Sequence, residues 1–320
     1  MAKKVSILIP AYNEEKVLHL LYARLKSLTD SLPQYEWEML FINDGSKDNT
    51  LAVLFSLRKE DTRVNIIDLS RNYGKEIAML AGFDYASGDC AIVIDADLQD
   101  PPELISQMLQ YWEEGYDDVY AKRRSRKGES FLKKKTSAWF YKILQRTTKI
   151  TIQLDTGDFR LLDRSCIEAL KQIRESSRYT KGMFSWIGYR KKEILFDRDQ
   201  RAAGETKWNY FKLFSLAIEG ITSFTTAPLR ISTIIGVLVS LSSFAYLIYM
   251  IIDTVFNGNP IAGYASTIVI ILFLGGVQLL SLGVIGEYIS RIFVETKRRP
   301  PYFVRSFNDE KIPPQNRKQN

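Results

Sequence analysis

Histidine and cysteine are nearly absent from this chain of 320 residues, which holds one histidine and two cysteines. His19 lies in the amphipathic stretch EEKVLHLLYARLKSL, where a helix-surface position is expected, so histidine catalysis and histidine-based metal sites are nearly excluded. Cys90 and Cys166 have no partner at metal-ligand spacing, and two thiols make no disulfide framework. Free thiols are typical of a reducing compartment.

Two nucleotide-binding signatures are also missing. No G-x-G-x-x-G follows the first predicted strand, which argues against a dinucleotide enzyme. No G-x-x-x-x-G-K-[ST] occurs, which argues against a P-loop nucleotide hydrolase. The opening MAKKVSILIPAYNEE lacks an apolar core long enough for a cleavable signal peptide, so none is expected.

Charged residues are absent from two long apolar runs, residues 231–252 and 261–286, of 22 and 26 residues. About 20 apolar residues span a bilayer, so the pattern predicts a two-span transmembrane hairpin over residues 230–290. Buried core helices of a soluble protein are the alternative. The loop between the runs holds no Lys or Arg, whereas Arg230 precedes them and four basic residues of 291–299 follow. Basic residues favour the cytoplasmic side, so residues 291–320 are predicted to form a basic cytoplasmic tail.

Two segments before the hairpin carry features of membrane-surface contact. Residues 122–135 hold eight basic residues and one acidic, and three consecutive aromatics follow at 139–141. Segment 122–147 is therefore predicted to meet anionic lipid, with a solvated loop as the alternative. Residues 208–229 place Phe211, Phe214, Ile218 and Ile221 at helical spacing. A helix lying in the membrane surface is predicted there, with a helix packed on its own domain as the alternative.

Strand-like and helix-like segments alternate through residues 1–207. This alternation predicts an α/β domain with right-handed crossovers and a mostly parallel sheet. In such sheets, ligands bind at the carboxyl ends of the strands. Three predicted strands end in polar residues: Asn13 with Glu14, Asn43 with Asp44, and Asp95 with Asp97.

The stretch AIVIDADLQDPPE, residues 91–103, places carboxylates at the end of a buried strand. Asp95 and Asp97 are two residues apart, so on extended backbone their side chains point the same way. Two such carboxylates repel each other unless a cation lies between them. Oxygen ligands without nearby His or Cys suit Mg²⁺ or Mn²⁺, and Mg²⁺ commonly completes its shell with substrate phosphates. A metal-bound diphosphate is the expected ligand.

Four motifs in combination resemble a known family. They are PAYNEE at 10–15, NDGSKDNT at 43–50, DADLQDPPE at 95–103 and TGDFRLLDR at 156–164. They are similar to family 2 glycosyltransferases of the GT-A fold. With the hairpin, the chain resembles bacterial polyprenyl-phosphate glycosyltransferases of the GtrB-like group, relatives of dolichol-phosphate mannose synthase. The resemblance covers nearly the whole chain, short of the last 20 or so residues.

The resemblance implies a nucleotide sugar as donor, with UDP-glucose as the first choice, and undecaprenyl phosphate as acceptor. It also implies inversion at the anomeric carbon. GlcNAc, a 4-amino-arabinose derivative and mannose remain alternative sugars. Q-x-x-R-W, the signature of processive synthases, is absent, which favours transfer of a single sugar. The resemblance further implies the bacterial cytoplasmic membrane, a homotetramer and a flippase as functional partner. No nucleic-acid partner is expected.

Roles for individual residues also follow from the resemblance. The positions that match the family's nucleoside site are Pro10, Ala11, Tyr12, Glu14 and Asp44. Asp95 and Asp97 match the residues that hold the metal diphosphate, with Gln99 nearby. Arg201 and Lys207 match basic residues expected near the phosphates.

Asp158 matches the candidate base of the family. It acts as a base or orients the sugar or phosphate, and a turn residue after Gly157 is the purely structural alternative. A hypothesis from another class is a transporter or flippase with a soluble binding domain. Neither apolar run has a charged residue at its centre, where pathway residues are expected, and Gln278 suits helix packing.

Overall fold

A computed structural model describes residues 2–124, 156–176, 178–196, 227–257 and 263–311. The chain divides into two compact units. One combines Met1–Leu213 with Pro300–Asn320, and the other is Phe214–Arg299. The chain therefore leaves the first unit, builds the second and returns to the first.

The first unit alternates strands and helices, as the sequence predicts. Its elements before the second unit are β1 (Lys3–Ala11), α1 (Leu18–Ser31), β2 (Tyr35–Asn43), α2 (Thr50–Glu60), β3 (Val64–Leu69), α3 (Lys75–Tyr85), β4 (Cys90–Val93), a 3₁₀ turn (Pro102–Leu104), α4 (Ile105–Glu113), β5 (Asp118–Arg123), β6 (Thr156–Asp163), α5 (Arg164–Gln172), α6 (Thr180–Trp186) and β7 (Lys191–Phe196). After the second unit come β8 (Val304–Phe307) and β9 (Glu310–Lys311).

These strands form one sheet in the order β7-β5-β6-β4-β1-β2-β3-β8-β9. The sequence predicts a mostly parallel sheet, and the contiguous strands β4, β1, β2 and β3 are parallel, but half of the strand pairings are antiparallel. The whole sheet is mixed, because β6 runs antiparallel to both β4 and β5 and β8 runs antiparallel to β3. Helices cover the parallel strands, so strands such as β1 read as continuous apolar runs, with Ile7, Leu8 and Ile9 fully buried.

The segment predicted as a basic tail has a different structure where it is described. Its start continues a helix to Thr296, and β8 then pairs with β3 of the first unit. Arg305 donates to the Asp68 carboxylate (3.2 Å) and to the Ser70 carbonyl (2.9 Å). The Tyr302 hydroxyl donates to Asp84 (2.5 Å). The prediction of a basic cytoplasmic tail did not include this pairing, because strands more than 230 residues apart in the chain leave no local sequence signal. Its cytoplasmic location stays a prediction.

The second unit consists, in its described part, of two long helices that contact each other. They are α7 (Ala227–Asn257) and α8 (Tyr264–Thr296), of 31 and 33 residues. At 1.5 Å per residue, each is longer than the roughly 30 Å hydrocarbon core of a bilayer. Within the described residues, Phe273–Thr296 is long and apolar enough to cross a membrane, and Ser232–Tyr246 is a shorter apolar stretch. Large apolar side chains are exposed on both helices, with Phe256 at 81 % and Leu279 at 72 %.

Three sequence predictions fall wholly or mostly outside the described residues. They concern the lipid-facing segment 122–147 beyond residue 124, the surface helix 208–229 before residue 227, and the centre of the inter-helix loop at 258–262. Arg201 and Lys207 also lie outside the described residues.

Candidate active site

The polar strand ends predicted from the sequence do meet at one edge of the sheet. Strand β1 pairs in parallel with β2 on one side and with β4 on the other. Ala11 is the partner of Asn43, and Leu8 is the partner of Val93. The loops that follow these three strands therefore emerge side by side, at the edge where α/β sheets bind ligands.

The loops after β1 and β2 are joined by side-chain hydrogen bonds. The Asn13 N–H donates to the Ser46 hydroxyl (3.0 Å), and the Lys47 N–H donates to the Asn13 side-chain oxygen (2.8 Å). The Glu14 N–H donates to the Thr50 hydroxyl (2.8 Å). Asn13 has a φ of 58°, a left-handed conformation that asparagine tolerates better than most residues. The paired loops form a fixed ledge on which Tyr12 is 40 % exposed.

Four of the predicted nucleoside residues belong to this ledge. Pro10 and Ala11 end β1, with Ala11 buried and Pro10 partly buried, and Tyr12 and Glu14 follow. The structure thus brings Pro10, Ala11, Tyr12 and Glu14 together. Their contact with a nucleoside stays a prediction.

Asp44, the fifth predicted nucleoside residue, is buried and holds the loop before α3. One carboxylate oxygen accepts from the Tyr73 N–H (2.7 Å) and the other from the Gly74 N–H (2.9 Å). Burial raises the pKa of Asp44, and these two backbone bonds oppose that rise. Next to it, Gly45 has a φ of +63°, and a Cβ there would lie 2.4 Å from the Arg71 carbonyl carbon. Only glycine allows this approach, so Asp44 and Gly45 fix the position of the α3 N-terminus.

Asp95, Asp97 and Gln99 follow β4 but not on the extended backbone that the sequence predicted. The strand ends at Val93, and the chain turns at residues 96–98, where Leu98 has a φ of 60°. The alternation nevertheless persists, since Asp95, Asp97 and Gln99 are partly exposed while the residues between them are buried. Asp97 accepts the Gln99 N–H (3.1 Å), which stabilises the turn.

Lys75 is the central cation of the site, and the sequence analysis did not identify it. Its ammonium lies 2.5 Å from an Asp95 oxygen and 2.5 Å from an Asp158 oxygen. Burial lowers the pKa of Lys75, but the two carboxylates more than reverse this and the net shift is upward. The sequence held one indication of its role: Lys75 occupies the first position of α3, where the helix dipole disfavours a cation unless nearby carboxylates stabilise it.

Asp158 is 8 % exposed and lies on β6, the strand next to β4. Burial alone would raise its pKa, but Lys75 and then Lys181 lower it to about 2. Asp158 is therefore ionised at neutral pH. One of its oxygens contacts Lys75, and the other is buried without a hydrogen-bond partner among the described residues. An unpaired buried carboxylate oxygen is costly, so this atom is suited to accept a bond from a ligand.

Buried polar pairs connect the elements around Asp158. Arg160, two residues along β6, is fully buried and pairs with Asp118 at 3.1 Å. Its guanidinium lies 3.7 Å from the ring centre of Phe184 on α6. Glu76 accepts hydrogen bonds from the backbone N–H (2.9 Å) and the hydroxyl of Thr180, the first residue of α6. The successive residues Lys75 and Glu76 thus tie α3 to Asp158 and to α6.

The carboxylates fit a divalent cation that shares its shell with phosphate. Within the described residues there is no cluster of three or more His, Cys, Asp or Glu side chains that could hold a metal alone. Asp95 and Asp97 provide two carboxylates, and Asp95 already holds a cationic group, the Lys75 ammonium. Mg²⁺ is commonly bound by one or two carboxylates plus substrate phosphates. The donor set therefore matches a metal that arrives with a diphosphate.

Comparison with known proteins places the chain in a family. The model of "Glycosyl transferase family 2" matches residues 6–171, which include the ledge, both aspartates after β4 and Asp158. This chain belongs to glycosyl transferase family 2. The glycosyltransferase also matches the "GtrB C-terminal hairpin" over residues 227–292, the α7–α8 region. Its mixed sheet with helices on both faces is a GT-A type fold.

Two relatives match this chain over nearly its whole length. A glycosyltransferase of Synechocystis sp. is 51 % identical over 95 % of this chain and 95 % of its own. The bactoprenol glucosyl transferase of Shigella phage SfX is 46 % identical over 95 % of this chain and 99 % of its own. Among solved structures, glucosyl-3-phosphoglycerate synthase of Mycobacterium tuberculosis is 18 % identical with a TM-score of 0.48, covering 69 % and 76 % of the two chains.

Proposed function

We propose that this glycosyltransferase transfers one glucosyl residue from UDP-glucose to polyprenyl phosphate, with inversion at the anomeric carbon. The observation that carries the proposal is the match to a bactoprenol glucosyl transferase over 95 % of this chain, which includes the hairpin region. A hairpin joined to a sugar-transfer domain suits such an acceptor. A polyprenyl tail cannot leave a bilayer cheaply, at about 0.8 kcal/mol per buried CH₂, so the enzyme must come to the lipid.

The chemistry of the acceptor is compatible with the site. A phosphate monoester has a second pKa of about 6, so it is an anionic nucleophile at neutral pH and needs no strong base. The low pKa of Asp158 makes it a weak base, and its unpaired oxygen suits the orientation of a sugar hydroxyl instead. Of the two roles left open by the sequence, we favour orientation.

The donor is proposed to lie across the ledge and the aspartates after β4. Pro10, Ala11, Tyr12, Glu14 and Asp44 would surround the nucleoside, and Asp95, Asp97 and Gln99 would face the diphosphate. Mg²⁺ or Mn²⁺, held by Asp95 and Asp97, would neutralise the leaving diphosphate. Arg201 and Lys207 are proposed to add positive charge near the phosphates by their match to the family motif.

The pH dependence of the transfer rate distinguishes titration of the acceptor phosphate from titration of Asp158. Asp158 stays ionised far below neutrality because its pKa is about 2, whereas the acceptor phosphate gains a proton near pH 6. Protonation removes nucleophilic charge, so kcat/KM for the acceptor should fall roughly tenfold per pH unit below about pH 6. Initial rates between pH 5 and 8 measure this. An acid limb displaced by Asp158→Glu would assign the titration to Asp158 instead.

A donor panel tests the proposed sugar. Purified protein in detergent is given undecaprenyl phosphate with UDP-glucose, UDP-GlcNAc, UDP-galactose or GDP-mannose. We expect the highest kcat/KM for UDP-glucose. A clear preference for another donor would keep the reaction class and overturn the sugar. Transport is impossible in detergent, so sugar transfer there also argues against a transporter with a binding domain.

Both ends of the hairpin are proposed to lie on the cytoplasmic side of a bacterial cytoplasmic membrane. Strand β8, which follows α8, pairs with β3, which precedes α7. The chain must therefore return to the side that it left, and this requires an even number of crossings. Two crossings by α7 and α8 satisfy that requirement, and the basic residues around 291–299 favour the cytoplasm for the returning end.

Cysteine labelling tests this topology. Both native cysteines are buried, so an introduced thiol gives the accessible signal. Asn257→Cys, at the end of α7, should react with a membrane-impermeant reagent in whole cells, and Asn316→Cys only after lysis. The reverse pattern would contradict the orientation. If the active site lies in the cytoplasm, the glycolipid product is formed on the inner face of the membrane, so a separate flippase is a proposed partner. The homotetramer stays a prediction of the family resemblance.

A further inference from the structure

The Lys75 ammonium lies between Asp95, one of the two predicted metal ligands, and Asp158. The ammonium contacts Asp95 and Asp158, each at 2.5 Å, so one cationic group bridges carboxylates from the ends of two neighbouring strands. A lysine in the first turn of a helix is disfavoured by the helix dipole, and the two carboxylates offset that cost. Asp44 and Gly45 fix the loop from which Lys75 projects. The lysine is thus held at this point by the fold.

The two partners of Lys75 differ in accessibility. The Asp158 side chain is 10 % exposed, the Asp95 side chain is 25 % exposed, and the Lys75 side chain itself is 39 % exposed. A divalent ion that keeps waters and phosphate oxygens in its shell needs an accessible carboxylate, which Asp95 offers and Asp158 does not. The ammonium has room to leave Asp95 while it remains on Asp158.

We propose that Lys75 is a positioning residue that holds Asp95 in the nucleotide-free protein and competes there with the divalent cation. The cation then binds well only when a nucleoside diphosphate supplies further oxygen ligands. Once displaced from Asp95, the ammonium stays with Asp158 and faces the same diphosphate. This inference rests on the proposed function for the identity of the diphosphate ligand, but the competition itself does not depend on the sugar or the acceptor.

Mn²⁺ binding without substrate tests the competition. Full-length protein in detergent is titrated with Mn²⁺, and the EPR signal of free aqueous Mn²⁺ is followed with and without UDP. Wild-type protein should bind Mn²⁺ weakly alone and much more tightly with UDP. In Lys75→Gln, binding without UDP should tighten by about twofold to fivefold, the range for removal of a partly exposed ion pair, and the effect of UDP should shrink.

Two variants control for charge and for folding. Lys75→Arg keeps a cation beside Asp95 and should bind Mn²⁺ as wild type does. Lys59→Gln removes an exposed lysine at the end of α2 and should also leave Mn²⁺ binding unchanged. A structural defect would weaken metal binding, so a gain of affinity in Lys75→Gln is specific to competition. Unchanged or weaker binding in that variant would overturn the proposal.

A structure of the wild-type protein with UDP and Mn²⁺ gives a second test that needs no variant. We expect Mn²⁺ on Asp95 and the Lys75 ammonium no longer in contact with that carboxylate. Lys75 still in contact with Asp95 beside bound Mn²⁺ would overturn the proposal. If Lys75 competes with Mn²⁺ as described but the protein does not transfer glucose, the proposed function alone is wrong. If the protein transfers glucose but Lys75→Gln does not tighten Mn²⁺ binding, this inference alone is wrong.

Discussion

Asp97→Asn is expected to reduce sugar transfer by on the order of 10³-fold at saturating Mg²⁺ or Mn²⁺. The substitution keeps the size of the side chain and removes a negative charge that is proposed, with Asp95, to hold the metal ion, and the metal ion in turn neutralises the diphosphate. Loss of one preorganised electrostatic contact to a developing charge costs about 10²- to 10³-fold, and a metal ligand belongs at the upper end. Asp95→Asn should have a similar effect.

The matched control is Asp89→Asn. Asp89 is exposed just before β4, at the opposite end of the strand from Asp95, where it accepts the Lys4 N–H (2.8 Å). Its substitution should leave turnover within about twofold, since a surface change away from the site has little effect. Steady-state rates at several metal concentrations make the comparison. Near-normal turnover in Asp97→Asn would show that this aspartate pair does not hold the metal.

Asp158→Asn is expected to lower turnover by about 10²-fold or more while donor binding is largely retained. The carboxylate forms an ion pair with Lys75, which requires its charge, and its other oxygen is buried without a hydrogen-bond partner among the described residues. A loss of this size is the range for a positioned polar group in a transition state. Turnover is measured by sugar transfer, and donor affinity by calorimetry with UDP-glucose.

Folding must be checked in the same variant, because Asp158 is a buried partner of Lys75. Equal unfolding midpoints for Asp158→Asn and wild type, or a modest decrease, allow the rates to be compared. The proposed contact to a sugar hydroxyl lowers the barrier only if it strengthens in the transition state, so donor affinity should fall little. A collapse of donor affinity in a folded Asp158→Asn protein would show that Asp158 contributes mainly to donor binding. The assignment of a role in the transfer step would then be wrong.

The parallel core and the ligand edge of the sheet could be predicted because they depend on local patterns. Continuous apolar runs at β1, β2 and β4 mark strands covered on both faces, and the helices between them set the parallel order. Polar residues directly after such strands must meet at one edge. Asp44, Asp95 and Asp97 were therefore placed correctly at that edge, although their ligands remain predictions.

Features that depend on distant pairing could not be predicted. Lys75 acquires its role because β6 inserts beside β4 and brings Asp158 within reach, a strand order that no local pattern specifies. The pairing of β8 with β3 could not be predicted for the same reason, since the four residues VRSF are shorter than a typical strand and their partner lies far away in the chain. The turn at residues 96–98 was missed because the alternation of buried and exposed residues continues through it.

Analysis of the lipid product tests the central claim most directly. Purified protein in detergent is incubated with UDP-glucose, undecaprenyl phosphate and Mg²⁺ or Mn²⁺, and the lipid is examined by mass spectrometry while UDP release is counted. The proposed function predicts one hexose on each modified lipid phosphate and one UDP released for each. UDP release without a glycosylated lipid, or a lipid with several sugars, would contradict single-sugar transfer to a lipid phosphate.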